Sequence, residues 1–493
     1  MLKHFNPTLL YKAYFGNPYG ILPPILLALL LTLVSWIVLI YGVREIGILG
    51  MMIGAGAALT LLSVITHPLI PFALYFPCLF FNDLTWPGIP ISPNQILGIL
   101  FFVSWIAYFI RRRTIAISPS VSFFMFVATV LFAISAITGE DTERGIQHCR
   151  AVVTYFLMAL GLAASMRSEK SIRALAWIIT ITTAAAALQG VYQAIEKGIF
   201  MNFTGKWSDA VRVSGTAKNS IVYGWNLLYA FPFAFFLYTR HNSKLFKSLA
   251  IGLGIFTAIV ALLTFNRQTF LLLAIVVLST TLLFRYKNKK RTLMMVLVAA
   301  GIAVIAMFPM VISRLSTLGN IDRDPSYLER RDQILVAMEM FKEKPIIGIG
   351  LGSYPAVWKN HLPKDYSTYN MQYDYKTERY PDFGYVQLLA ETGVVGLMLA
   401  IALMLMVLRR AIRVRRMADA RDNIMAFNLA SMIIALAIFW ITSNFVQDTF
   451  LYVRMWFVLG LTALITPQNL FLGARSTTNA VPLPRKQQEL AHD

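Results

Sequence analysis

The sequence is poor in charged residues, and acidic residues are the scarcer kind. Only 14% of its 493 residues are charged, against about 25% in an ordinary soluble domain. The 24 Asp and Glu residues are outnumbered by 44 Lys and Arg, which gives a net charge of +20. With 57% hydrophobic residues and a mean hydropathy of +0.62, a water-soluble fold would expose far too many apolar side chains. The composition therefore predicts an all-α polytopic membrane protein.

Cysteine and histidine are also scarce, with two and six residues. Cys78 and Cys149 lie in or beside apolar segments and match no metal or redox spacing, so buried reduced thiols are the simplest interpretation. The histidines show no ligand spacing. We therefore expect neither a bound metal nor a cofactor.

The basic residues fall in short runs between apolar segments. Runs at 111–113, 285–291 and 409–421 all emerge on one side when the apolar segments are threaded through a bilayer. This is the positive-inside pattern of membrane loops, and it argues against nucleic acid as a partner. We predict about twelve to fourteen transmembrane helices, with these runs and both termini in the cytoplasm. No cleavable signal peptide is evident.

The apolar segments divide the chain into five parts. Residues 1–90 hold N-terminal membrane helices, with candidate spans Ile21–Val43, Gly47–Ile65 and Pro68–Phe81. Residues 91–313 hold central membrane helices, and 314–383 form a large outer loop. Residues 384–466 hold C-terminal membrane helices, which begin with the span Val386–Leu408, and 467–493 form a disordered cytoplasmic tail.

The large outer loop is unlike the rest of the chain. Its 70 residues include ten basic residues, ten acidic residues and seven tyrosines. Loops of this length are functional or disordered, and the aromatic residues favour an ordered one. Tyrosines clustered with Trp358 present flat apolar faces edged with hydroxyls, which suit carbohydrate. An aromatic belt at the membrane interface is the alternative.

A helix is predicted inside this loop over Pro325–Lys342. Ser326 and Glu329 form a capping-box pattern at its start. The residues Ile334, Leu335, Met338 and Phe341 form an apolar stripe at helical spacing, which predicts a helix lying on the membrane surface. Pro345 ends the helix, and a glycine-rich turn follows.

Several arginines are expected at the outer membrane boundary. Arg267 separates two apolar runs with almost no loop, and an ionisable group so close to hydrocarbon marks a functional site by default. A snorkelling membrane anchor is the alternative interpretation. Arg212 lies in a second outer loop, and Arg330 and Arg331 open the predicted loop helix. A guanidinium group binds phosphate bidentately, so these arginines suit an anionic lipid group.

Two carboxylates share this boundary. Asp382 ends the large loop and Asp448 lies in the last outer turn. A carboxylate beside arginines can act as a base toward a hydroxyl. It can equally be a structural salt-bridge partner, which is the interpretation we favour for Asp448.

Four motifs, in this order, resemble the O-antigen ligase/polymerase superfamily of membrane glycosyltransferases over Ile91–Thr466. They are Arg212–Asn219, with its Arg, Gly and Asn; the helix junction Thr264–Arg267; Arg330 or Arg331 followed by Ala337 and Pro345–Gly350; and Leu388–Gly396. The resemblance implies a glycosyltransferase C-like fold in the bacterial inner membrane, with the active face in the periplasm. It also implies an undecaprenyl-pyrophosphate-linked glycan donor and a metal-independent, inverting transfer.

The sequence departs from the superfamily's ligases at one motif. Those ligases carry His-Asn, nine residues and then Gly-x-x-Gly, whereas counting back from Gly393 and Gly396 gives Asp382 and Phe383. Because that histidine is the expected acceptor-activating group, the departure favours a polymerase of O-antigen or exopolysaccharide repeat units. A ligase that transfers the glycan to lipid A-core is the alternative. A flippase or other transporter, or a non-catalytic assembly component, also stays open.

The expected catalytic residues are Arg267 and Asp382. The expected substrate-binding residues are Arg212, Arg330, Arg331, Tyr354 and Tyr385. The expected partners are the lipid-linked donor, a glycan or lipid-linked acceptor and membrane lipid, with a chain-length regulator as a further candidate.

Overall fold

The computed structural model describes most of the chain between Pro68 and Ile465. The described residues are 68–78, 93–112, 117–166, 168–198, 212–217, 219–294, 325–362, 381–445 and 453–465. The predicted spans Ile21–Val43 and Gly47–Ile65 lie outside them, as do most of the clustered tyrosines, Asp448 and the C-terminal tail. Those features stay predictions.

All regular secondary structure in the described residues is helical. The α-helices are α1 Leu69–Cys78, α2 Pro93–Arg112, α3 Pro119–Ile137, α4 Thr142–Ser165, α5 Glu169–Glu196, α6 Ser220–Leu228, α7 Phe231–Arg240, α8 Lys244–Leu262, α9 Arg267–Leu283, α10 Pro325–Glu343, α11 Tyr354–Val357, α12 Gly384–Ala420, α13 Ile424–Ser443 and α14 Val453–Leu464.

Within the described residues, seven helical stretches are long and apolar enough to cross a membrane. Six are single helices, namely α3, α4, α5, α8, α12 and α13, and the seventh combines α6 with α7. Pro232 accounts for the break in that pair, because proline lacks an N–H and clashes with the carbonyl group four residues earlier. The predicted all-α polytopic membrane fold is confirmed.

One end of the helix bundle is held together by arginines, and we call it the basic end. Arg415 Nη2 donates to the carbonyl oxygen of Leu283 (3.1 Å), and Arg410 Nε donates to that of Ile465 (3.2 Å). Leu283 is the last residue of α9 and Ile465 directly follows the last residue of α14, and carbonyl groups at these positions have no intrahelical donor. Residues of α12 therefore cap two neighbouring helices.

The opposite end, which we call the loop end, carries the predicted site. Ser431 Oγ of α13 donates to the carbonyl oxygen of Leu283 at the end of α9 (3.0 Å), and Asn428 Oδ1, one turn earlier in α13, accepts from the N–H of Arg285 (2.8 Å), just after α9. The two packed helices consequently run antiparallel. The start of α9 at Arg267 and the residue after α13, Asn444, therefore lie at the same end of the bundle.

Helix α12 is sharply kinked at Gly393. This residue has φ 63° and ψ −167°, which is not helical. Tyr385 Oη lies 3.5 Å from Met404 Sδ, although residues 19 positions apart in a straight helix would be about 28 Å apart. The predicted span Val386–Leu408 is thus not one straight helix. A short arm, 384–392, folds back beside the long arm, 394–420.

The loop helix α10 forms where the sequence predicts it, over Pro325–Glu343. The face that packs into the protein comprises Gln333, Val336, Ala337 and Met340, all buried. The predicted apolar stripe of Ile334, Leu335, Met338 and Phe341 is only half-buried, because it lies beside that face. The polar Gln333 therefore enters the packed face, which a count of apolar residues does not reveal.

Candidate functional site

Asp382 and Arg330 form an ion pair at the loop end. Arg330 Nε lies 3.1 Å from Asp382 Oδ2, and the two side chains are 37% and 36% exposed. The two residues are 52 positions apart in the chain. Because both side chains are partly exposed, a carboxylate and a guanidinium group can reach a ligand together at this point.

The backbone of Asp382 is anchored on both sides. Its N–H donates to Gln333 Oε1 (2.9 Å), and the N–H of Gly384 donates to the carbonyl oxygen of Asn444 (3.0 Å). The first bond ties Asp382 to α10 and the second ties it to the end of α13. The ion pair is therefore built on helices rather than on a free loop.

Arg331 has a different partner from Arg330. Its Nη2 lies 3.1 Å from Oδ1 of the neighbouring Asp332, whose side chain is 2% exposed. Arg331 is itself 40% exposed, and it neutralises a carboxylate that α10 buries. The structure thus brings Arg330, rather than Arg331, to Asp382.

The glycine-rich turn after α10 occupies the kink of α12. The N–H groups of Ile349 and Gly350 donate to the carbonyl oxygens of Ala390 (3.0 Å) and Glu391 (2.9 Å), and Val394 N–H donates to that of Pro345 (2.9 Å). Carbonyl and N–H groups released by the kink are satisfied in this way. The predicted turn is present, and its backbone serves to dock α10 on α12.

Only glycine fits at the centre of this turn. Gly350 has φ 108°, and a Cβ there would lie 2.0 Å from the Cα of Gly139. Lys344 Nζ and Glu140 Oε1, 2.7 Å apart, pair beside this contact. The turn is thus packed against the link between α3 and α4, and its glycines serve close backbone packing.

Arg212 lies in a segment clamped by Gln193. Gln193 Oε1 accepts from the N–H groups of Ser214 (3.2 Å) and Gly215 (2.8 Å), and its Nε2 donates to the carbonyl oxygen of Gly215 (3.0 Å). Lys197 Nζ donates to the carbonyl oxygen of Arg212 (2.9 Å). The last turns of α5 therefore fix the path of residues 212–217.

The segment that carries Arg212 lies beside the turn that precedes Arg267. The N–H of Val213 donates to the carbonyl oxygen of Leu263 (3.4 Å). Arg267 is the first residue of α9, and the Asn266 side chain caps that helix by accepting from the N–H of Gln268 (2.9 Å). The positive end of the helix dipole thus coincides with a basic residue, which favours an anion.

The arginine motifs and Asp382 therefore share the loop end. Arg267 begins α9 there, and the neighbouring turn contacts the segment that carries Arg212. Asp382 reaches the same end because Gly384 bonds to Asn444. Motifs that are up to 170 residues apart in sequence are gathered at one end of the bundle.

The two predicted tyrosines differ in exposure. Tyr354 is 2% exposed and its hydroxyl donates to the carbonyl oxygen of Gln333 (3.1 Å). A buried ring offers little surface to a sugar, and the predicted contact of Tyr354 with substrate stays a prediction. Tyr385 is half-buried, its hydroxyl donates to the carbonyl oxygen of Ile441 (3.0 Å), and its ring lies 4.8 Å from that of Phe445. Its substrate contact stays a prediction.

Comparison with known families gives a match over part of the chain. Residues 252–401 match the family model described as O-Antigen ligase. The match covers 150 of the 493 residues, and over this segment the chain is similar to O-antigen ligases. The predicted resemblance to the O-antigen ligase/polymerase superfamily is confirmed, and ligase/polymerase-like function is supported. No curated protein matches the chain.

The segment that matches the family model contains most of the candidate site. Arg267, Arg330, Arg331, Tyr354, Asp382 and Tyr385 all lie inside residues 252–401. Arg212 lies outside this segment and is connected to it through the hydrogen bond between Val213 and Leu263.

Sequence reasoning missed two polar residues of this site. Gln333 and Gln193 each fix the backbone beside a candidate residue. The spacing of Gln333, three residues after Arg330, was an available signal, because residues three apart share a helix face. Gln193 carries no such signal, since its contact with Gly215 joins a helix to a loop.

Proposed function

We propose that this protein transfers a glycan from an undecaprenyl-pyrophosphate-linked donor to a glycan acceptor, and so polymerises O-antigen or exopolysaccharide repeat units. The match of residues 252–401 to the O-antigen ligase family model supports the reaction class. The observation that carries the assignment of the site is the ion pair between Arg330 and Asp382 at the end of the bundle where Arg212 and Arg267 lie. The positive-inside pattern supports a periplasmic position for that end.

The proposed step breaks one bond and forms another without a metal. The acceptor hydroxyl oxygen attacks the anomeric carbon of the donor sugar from the side opposite the pyrophosphate. The bond from that carbon to the pyrophosphate oxygen breaks, and its electron pair leaves with the undecaprenyl pyrophosphate. Asp382 accepts the hydroxyl proton as general base. The configuration at the anomeric carbon is inverted.

Arginines would stabilise the charge of the leaving group. Negative charge grows on the pyrophosphate as the glycosidic bond breaks, and fixed cations directed at that charge lower the barrier. Arg267 and Arg212 would hold the pyrophosphate through bidentate contacts. Arg330, already paired with a carboxylate, would orient Asp382 and meet the donor as it enters. Arg331 and Tyr385 are further candidates for substrate contact.

A ligase that transfers the glycan to lipid A-core is the second candidate. The description of the matching family favours it. Against it stands Asp382 at the position where the superfamily's ligases are expected to carry histidine. Both activities would use the same donor, so the acceptor is the point of difference.

The test uses Asp382→Asn and Arg330→Ala in the native host, with lipid-linked and lipid A-core-linked glycans separated on one gel. Accumulated single lipid-linked repeats without polymer would support the polymerase. Accumulated lipid-linked polymer that is not attached to lipid A-core would identify the ligase. Glu339→Gln and Lys342→Ala are matched controls, because that pair lies on the exposed face of the same helix. Normal glycans in the site variants at normal protein levels would refute the proposed site.

A further inference from the structure

Gln333 occupies an unusual place on the loop helix. Its side chain is 8% exposed, although glutamine is mostly exposed in proteins. Its Oε1 accepts the N–H of Asp382 (2.9 Å), and its own carbonyl oxygen accepts the hydroxyl of Tyr354 (3.1 Å). One residue thus contacts both the proposed base and the buried tyrosine.

The tyrosine is held in turn by the kinked helix. The N–H of Tyr354 donates to Glu391 Oε1 (3.1 Å), and the Glu391 side chain is 1% exposed. Glu391 lies two residues before the kink at Gly393, and its carbonyl oxygen accepts the N–H of Gly350. Buried hydrogen bonds therefore lead from the kink of α12, through Tyr354 and Gln333, to the backbone of Asp382.

The hydrogen bond between Gln333 and Asp382 is the one that connects this path to the ion pair. Pro381 and Asp382 lie outside any helix, and α12 begins at Gly384. No helical hydrogen bond fixes the Asp382 N–H, so Gln333 Oε1 supplies its partner. Arg330 lies on the same helix as Gln333 and bonds the carboxylate of the same aspartate. Helix α10 thus holds the backbone and the side chain of Asp382 at once.

We infer that Gln333 is a positioning residue that sets the orientation of the Asp382 carboxylate toward the acceptor hydroxyl. This inference rests on the proposed function, in which Asp382 is the general base. Gln333 acts through Asp382 and does not itself touch the substrate. Its removal should slow the proton-accepting step and leave donor binding in place.

The test compares purified full-length variants, with lipid-linked repeat units extracted from the native host as substrate. Gln333→Met keeps the length of the side chain but loses the acceptor oxygen. We expect kcat to fall about 10- to 100-fold with KM little changed, the scale of loss that small misplacements of reacting groups cause. Asp382→Asn should lower kcat about 100-fold or more.

Gln333→Glu keeps an oxygen at the same position and should restore most of kcat. The new carboxylate lies close to Asp382, and a neighbouring like charge raises the pKa of an acid. The acidic limb of the pH–rate profile should therefore move to higher pH in this variant. This shift would show that the acidic limb reports Asp382, and the recovery of kcat would show that the acceptor oxygen at position 333 is the group that matters.

Asn428→Leu is the matched control. Asn428 is also a buried amide, 0% exposed, but it lies at the basic end, where its Oδ1 accepts from the N–H of Arg285 (2.8 Å). This variant should stay within a few-fold of the wild type.

Three outcomes would overturn the inference, and they separate it from the proposed function. Full activity in Asp382→Asn would refute both. Loss in Asp382→Asn with full activity in Gln333→Met would refute the positioning role alone. Equal losses in Gln333→Met and Asn428→Leu, without recovery in Gln333→Glu, would show that Gln333 merely stabilises the fold.

Discussion

Replacing Gly393 with alanine should disrupt the kink on which the candidate site is built. Gly393 adopts φ 63° and ψ −167°, a region that is essentially restricted to glycine. A Cβ at this position would lie 2.3 Å from the carbonyl oxygen of Ile346 and 2.7 Å from the backbone nitrogen of Ile347. Both neighbours are backbone atoms of the turn that docks on the kink, so neither can rotate away.

Two costs combine in this variant. A residue forced into a sparsely populated backbone conformation costs about 1–3 kcal/mol. Inserting a methyl group into a packed region costs about 1–3 kcal/mol more. The expected destabilisation is therefore about 2–6 kcal/mol if the kink is kept. If the chain relaxes instead, the short arm of α12 moves and Asp382 leaves Arg330.

Gly252→Ala provides the matched control for this prediction. Gly252 lies within helix α8, and a Cβ there would meet nothing within 4 Å. Alanine should be neutral or slightly stabilising at that position, because glycine in a helix interior costs about 1 kcal/mol relative to alanine.

The assay heats detergent-solubilised protein and measures the fraction that stays monodisperse in size-exclusion chromatography. Gly393→Ala should lose monodisperse protein several degrees below the wild type, whereas Gly252→Ala should match or exceed the wild type. Glycan analysis in the native host should show lost polymer for Gly393→Ala alone. A Gly393→Ala protein as heat-stable and as active as the wild type would refute the role of the kink.

Three further predictions concern other parts of the molecule. Gln193→Leu should release residues 212–217 and lower glycan transfer at normal protein levels in membranes; unchanged transfer would contradict the clamp. Arg331→Ala leaves a buried neighbouring carboxylate without this cation, so it should lower the amount of protein in membranes more than Lys342→Ala does, by immunoblot. Burial, helped by nearby cations, lowers the pKa of His241 from 6.5 to about 4, and its neutral Nε2 accepts from Trp177 Nε1 (2.9 Å). Below pH 6.5 the unfolded chain takes up a proton at this histidine that the folded chain does not. The free energy of unfolding should therefore fall by about 3 kcal/mol between pH 6.5 and 4, which the melting temperature at each pH measures. A His241→Gln variant with the same pH dependence would contradict this prediction.

Membrane insertion and helical structure could be predicted from the sequence because they depend on local composition. Apolar segments of bilayer length must satisfy their backbone hydrogen bonds internally, which makes them helices. The loop helix over Pro325–Lys342 is predicted almost to the residue, because local signals in its own sequence define it. Its stop before Pro345 and its helical spacing are local signals.

The motifs of the site can also be identified in the sequence. The sequence does not show which arginine pairs with which carboxylate. Arg330 and Arg331 are neighbours with the same chemistry, and only the packing of α10 shows that Arg330 pairs with Asp382 while Arg331 pairs with Asp332. The sequence places Tyr354 in a cluster of aromatic residues. Only the structure shows that it is buried and that its hydroxyl donates to the carbonyl oxygen of Gln333.

The kink at Gly393 shows what the sequence alone determines and what depends on tertiary contacts. The sequence alone determined that this protein lies in a membrane, that its helices span it, and which family its motifs resemble, because hydropathy and short motifs are properties of neighbouring residues. The apolar run through Gly393 reads as one span, since nothing local forbids a glycine within a membrane helix. Only the tertiary structure decided that the chain folds back there, because the turn after α10 supplies hydrogen bonds to the opened backbone. That long-range docking brings Asp382 to Arg330.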